Sequence, residues 1–138
     1  MNRKDVRHEF ADLLTAGLGG LVNKVYRGQV ADFGKARAVV VCSSGGLEVY
    51  PMAVRNLIGN PDLSVDVFVL YADPDANWTE EDAEDRLDDI AAEITGILAV
   101  NQTGRNWSAI SWSEKSQPGS IEIGGTEYRR EQITLHFT

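Results

Sequence analysis

At 138 residues, 43% hydrophobic and 25% charged, the chain is sized and composed for one globular domain that needs no disulfide or metal staple. Its single cysteine, Cys42, excludes an intrachain disulfide and a multi-cysteine zinc site. The net charge of −8 is concentrated: residues 80–93 hold eight acids and one arginine, and the remainder is nearly neutral. One acidic stripe on a neutral body disfavours gripping nucleic acid, which needs clustered Lys and Arg against phosphate.

The opening MNRKDVRHEF has no apolar core of the kind a secretory signal carries, and no apolar run reaches the ~20 residues of a membrane span. A soluble protein made inside the cell is therefore expected. Val6, Phe10, Leu13, Leu14 and Leu18 recur at helical spacing behind Asn2, predicting a capped helix over 3–17 that ends in a glycine cluster. NKVYRGQVADFG reads as a short extended piece and a turn. ARAVVVCS follows as a short buried strand.

Residues 43–62 contain two glycine sites and two prolines, and read as a long loop with a short helical turn around Val54–Ile58. LSVDVFVLYA predicts a strand with Val65, Val67 and Val69 on one face and Phe68 and Leu70 on the other, hence a central position in its sheet. Thr79 followed by three acids starts a helix over 79–99, with Ala83, Leu87, Ile90, Ala91, Ile94 and Leu98 as its buried stripe. The last third reads as antiparallel strands: NWSAISWS, SIEI, a Gly124–Gly125 turn, and TEYRREQITLHF. Ile133, Leu135 and Phe137 share a face; Tyr128 is out of phase, which predicts a bulge near Arg129–Arg130. The sum is an α+β fold, a mostly antiparallel four- to five-stranded sheet with two helices packed on one face.

No catalytic template is complete. After AVVVC the stretch SSGGLEVY lacks the lysine of a phosphate-binding loop, its serines precede the glycines instead of standing between them, and position 48 is Glu where a phosphatase-like cysteine needs Arg. His8 and His136 have no companions at metal-ligand spacing, and the acids of 80–93 lie around a helix, not on a calcium loop. Trp78, Trp107 and Trp112 read as packing residues. Arg129 and Arg130, beside Glu127 and Glu131, read as a charge-paired exposed strand that could meet a neighbouring subunit. No catalytic, cofactor or metal residue is assigned; a small hydrolase or thiol enzyme using Cys42 stays as an alternative.

Taken in order, MNRKDVRHEFADLL, KVYRGQVADFGKARAVVVCSSGG, VDVFVLYADPDANWTEEDAEDRLDDIAAEI and YRREQITLHFT resemble segments of the tail terminator (tail completion) proteins of long-tailed phages. The likeness covers nearly the whole chain but carries no signature motif. The stretch GGLEVYPMAVRNLIGNPDL has no counterpart, and the proline such proteins often have before the strand is missing at ARAVVV. The resemblance implies a non-enzymatic protein that forms a homohexameric ring on the tail tube, stops tube polymerisation and offers a surface to the head-completion or neck protein. DNA would pass without specific binding. The place would be the head-proximal end of the tail in the virion, after synthesis in the host bacterial cytoplasm, with no membrane contact. Another head–tail joining protein is the near alternative. On this reading Ser43, Ser44, Gly45, Gly46, Tyr50 and Asn56 belong to a docking loop. Glu80, Glu81, Asp85, Asp88, Asp89, Arg129 and Arg130 are the candidate charges between subunits or along the channel.

Overall fold

The computed structural model describes residues 2–51, 57–112 and 116–138. In chain order these form α1 (Arg3–Leu18), β1 (Lys24–Tyr26), β2 (Ala38–Pro51), β3 (Leu57–Leu70), α2 (Glu80–Val100), β4 (Ile110–Trp112), β5 (Gln117–Ile123) and β6 (Thr126–Phe137), with 3-10 turns at Gly19–Leu21 and Pro74–Ala76. The expected α+β class holds. The sheet has six strands among the described residues, not four or five, because Lys24–Tyr26 is a true strand lying parallel to Val39–Val41. Every other pairing is antiparallel, in the order β1-β2-β3-β6, with β4 and β5 end to end along the outer edge of β6.

Both helices begin where the sequence places their caps. Asn2 Oδ1 accepts from the backbone N–H groups of Lys4 and Asp5, satisfying two donors that the first turn leaves orphaned. Thr79 and Asp82 form a reciprocal capping box on α2. The apolar stripes then decide the packing: Val6, Phe10, Leu14 and Leu18 from α1 and Ala83, Leu87, Ile90, Ile94 and Leu98 from α2 are all buried. Each fully buried large side chain contributes about 1.5–3 kcal/mol.

The odd-numbered positions of β6 face the helices, since Phe137 meets Phe10 edge-on with ring centres 5.8 Å apart and Arg129 pairs with Glu84 of α2. Across the ladder this assigns Leu63, Val65, Val67 and Val69, then Ala38, Val40 and Cys42, to the helix side. The opposite face is also covered at one end. Phe33, in the connection from β1 to β2, lies over Phe68 and Tyr128 with ring centres 4.9 and 5.4 Å away.

That second cover corrects one expectation. β6 pairs with β3 in unbroken register from Tyr128 to His136, so there is no bulge near Arg129–Arg130. Tyr128 is out of phase with Ile133, Leu135 and Phe137 because it serves the other apolar cluster, where it is fully buried.

A larger correction concerns 43–62. Ser43, Ser44, Gly45, Gly46 and Tyr50 lie in β2, not in a loop, and residues 57–62 lie in β3. The ladder continues through Leu47↔Pro61, Glu48↔Asn60, Val49↔Gly59, Tyr50↔Ile58 and Pro51↔Leu57. The glycines mark an irregularity in this ladder: between Ser44 and Leu47 the register slips by one residue, so Gly45 and Gly46 together oppose Asp62. A Cβ on Gly45 would sit 3.0 Å from both Cβ and the carbonyl oxygen of Asp62, so close strand approach is what requires glycine there. Asn56 and residues 54–55 of the expected helical turn fall outside the described residues, while Leu57 and Ile58 are strand.

Candidate interaction surface

The β2–β3 hairpin outruns the sheet. β6 accompanies β3 only as far as Asp62↔His136, and β1 accompanies β2 only along Val39–Val41. Beyond the bulge, residues 47–51 and 57–61 pair with each other and, among the described residues, with no further strand on either side. The result is a two-stranded arm with two open edges, whose backbone N–H and C=O groups are a template for strand addition.

The foot of the arm is held from both faces. On the helix side, Arg7 Nη1 donates to Ser44 Oγ at 2.7 Å and Arg3 Nη1 donates to the Gly45 carbonyl at 3.3 Å. On the other side, His136 Nδ1 lies 2.5 Å from Asp62 Oδ1 and its Nε2 lies 3.7 Å from Glu48 Oε2. A carboxylate can only accept, so this contact is a hydrogen bond in the tautomer that carries its proton on Nδ1. First helix and last strand thus meet at one place. Sequence reading missed this: His136 stands alone by spacing, and its partner is 74 residues away. Leu47, 44% exposed, lies on the helix side of the arm and covers Gly59, where a Cβ would come within 2.9 Å of the leucine Cδ1.

The candidate charges separate into two groups. Glu80, Glu81, Asp85, Asp88 and Asp89 are all exposed on the outer face of α2. Arg129 and Arg130 do not join them, and neither belongs to an exposed strand paired with Glu127 and Glu131. Arg129 reaches Glu84 on the helix side. Arg130 points to the opposite face, where its Nη2 lies 3.3 Å from Asp66 Oδ1 and its guanidinium lies over Phe68. Both arginines are half-buried, because alternation along one strand sends neighbours to opposite faces. Asp66 is itself buried, and burial pushes its carboxyl above the ordinary range, against the opposing pull of Arg130.

Two other chemical candidates resolve into structure. Cys42 is fully buried, and burial with the nearby Asp66 pushes its thiol up to about 12 despite Arg7, so it is protonated at neutral pH and poorly suited to nucleophilic attack. His8 lines an open cleft with Asp5, Glu9, Asp12 and Arg105. There Glu9 accepts from the backbone N–H groups of Arg105 and Asn106 and from the Asn106 side chain, anchoring the segment after α2 to α1. Among the described residues no group of three His, Cys, Asp or Glu side chains is placed to hold a metal ion, and no helix is long and apolar enough to cross a membrane. No protein-family model matches the chain, and no curated protein sequence matches it.

Proposed function

We propose that this protein is a tail terminator of a long-tailed phage or prophage. Six copies close into a ring on the tail tube, halt its polymerisation and present a joining surface to the head-completion protein. The observation that carries this reading is the arm of residues 47–51 and 57–61, with its open edges and its foot tied to α1 and β6. Heterologous strand pairing between such arms and a neighbouring sheet edge removes those edges from solvent and repeats around a closed ring. The exposed acids of α2 support the reading in a second way, since a surface of this charge repels DNA and leaves it free to pass. The burial of Cys42 counts against a thiol enzyme.

The test is electron microscopy and mass measurement of the purified protein with and without tail tubes. A companion variant replaces residues 47–61 by a two-residue Asn-Gly turn. The native chain is expected to form rings of six on tube ends and to stop tube growth. The shortened chain is expected to keep its circular dichroism spectrum and lose capping altogether. A native protein that stays monomeric and neither binds tubes nor slows their growth overturns the proposal. One that binds finished tubes without stopping growth favours a neck protein instead.

A further inference from the structure

At the Leu70 end of β3, remote from the arm, an open cleft of about 450 Å³ is lined by Gly20, Asn23, Lys35, Arg37, Asp73 and Arg86, among others. Three cations thus face one carboxylate in a chain whose overall charge is −8. No ion pair among the described residues engages Lys35, Arg37 or Arg86. The nearby Asp82 is committed to its capping bonds with Thr79.

The two arginines are held in place rather than free to disperse. Arg37 and Arg86 both lie against the indole of Trp78, with guanidinium carbons 4.6 and 5.4 Å from the ring centre. Arg86 Nη1 also donates to the Leu21 carbonyl at 2.9 Å, and its other donors make no hydrogen bond among the described residues. The Arg37 backbone is fixed by Leu70 N–H donating to its carbonyl at 2.8 Å, and Ala38 N–H donates to Asn23 Oδ1 at 3.0 Å. Lys35 has φ +59°, a left-handed conformation that a residue with a Cβ adopts at a cost, and it directly follows Gly34 at φ +61°. This turn sends Lys35 and Arg37 to the same cleft.

We infer that the cleft binds an oxyanion of the phosphate class, free or as a group on a larger molecule, through Lys35, Arg37 and Arg86. Planar guanidinium forks match pairs of phosphate oxygens, and an ammonium adds a compact charge to a third. The Trp78 ring at their back holds both guanidinium groups beside the cleft by cation–π attraction. The inference does not depend on the tail-terminator reading, because it concerns a different end of the sheet.

Titration of ¹⁵N-labelled protein with inorganic phosphate at constant ionic strength tests it. Saturable shifts are expected at the Trp78 indole N–H and at the amides of residues 35–37. The midpoint should rise at least tenfold in the double variant Lys35→Gln/Arg37→Gln. Both residues are exposed, so an unchanged melting temperature in that variant certifies the fold. Arg27→Gln, which removes a cation paired elsewhere with Asp12, should leave the midpoint unmoved. Glycerol phosphate in a parallel series distinguishes the sources: equal or tighter binding assigns a phosphate on a larger molecule, and exclusion assigns the free ion. Shifts that never saturate, or a midpoint unmoved in the double variant, overturn the inference.

Discussion

β2 and β3 each live in two environments. Along Ala38–Ser43 and Val65–Leu70 every residue of both strands is buried, with helices on one face and, at the Phe68 end, Phe33 on the other. Past the bulge the same two strands carry on with, among the described residues, no third strand beside them, tied at their foot through Ser44, Gly45, Asp62 and Glu48. The first half is held by apolar burial, whereas the ties at the foot of the arm are hydrogen bonds, whose net contribution is only about 0.5–1.5 kcal/mol each. Continuity of a strand therefore says nothing about uniformity of its stability.

The largest expected contrast comes from two leucines on either side of the boundary. Leu63→Ala, at a fully buried position, should cost about 2–5 kcal/mol in urea denaturation. Leu47→Ala in the arm should cost well under that, about 0.5 kcal/mol, as surface substitutions do. Equal losses would mean that the arm packs as part of the core. At the boundary itself, Gly45→Val should destabilise by about 1–3 kcal/mol, because its side chain must enter the 3.0 Å approach to Asp62. Gly46→Ala meets only the end of the Asp62 carboxylate, at 3.9 Å, and should change stability by no more than about 0.5 kcal/mol. Two equal effects would break the bulge account.

Asp66 gives the most diagnostic effect, because it tests how dry the body of the sheet is. Its carboxyl titrates above the ordinary 3.8 when folded, so the folded state binds the proton more tightly than the unfolded chain. That contribution is fully present below the unfolded value and is lost as pH rises through the folded one. Asp66→Asn should therefore flatten the fall in stability with rising pH across that window. Denaturation midpoints of both proteins at several pH values in this range check it. A steeper fall in the variant would reverse the sign of the argument.

The helices and the buried halves of the strands were legible in the sequence because periodicity reports burial directly: Val65, Val67 and Val69 could hardly serve another structure. The arm was not legible. Punctuation outweighs periodicity there, since Gly45, Gly46, Pro51 and Pro61 are the residues that ordinarily break up loops. Pro61 is tolerable where it stands because β6 pairing ends at Asp62 and, among the described residues, no strand follows on that side to receive a ladder bond. Tyr128 misled through a different assumption, that only one face of the sheet is covered. Phe33 lies in a segment with no strand or helix pattern, so nothing local announced that it closes over Phe68 and Tyr128. The clamp and the basic cleft depend on residues brought together by topology alone.

The foot of the arm also sets how the protein can be handled. Arg3 and Arg7 from the first helix and His136 from the last strand all meet there, so an affinity tag joined ahead of Asn2 or after Thr138 stands beside the arm. β6 runs from that foot to the Gly124–Gly125 turn at the far end of the sheet, where both glycines are exposed and have positive φ. A short epitope or fluorophore placed in that turn reports on the protein from a distance, and leaves the arm's reach to a neighbour unobstructed.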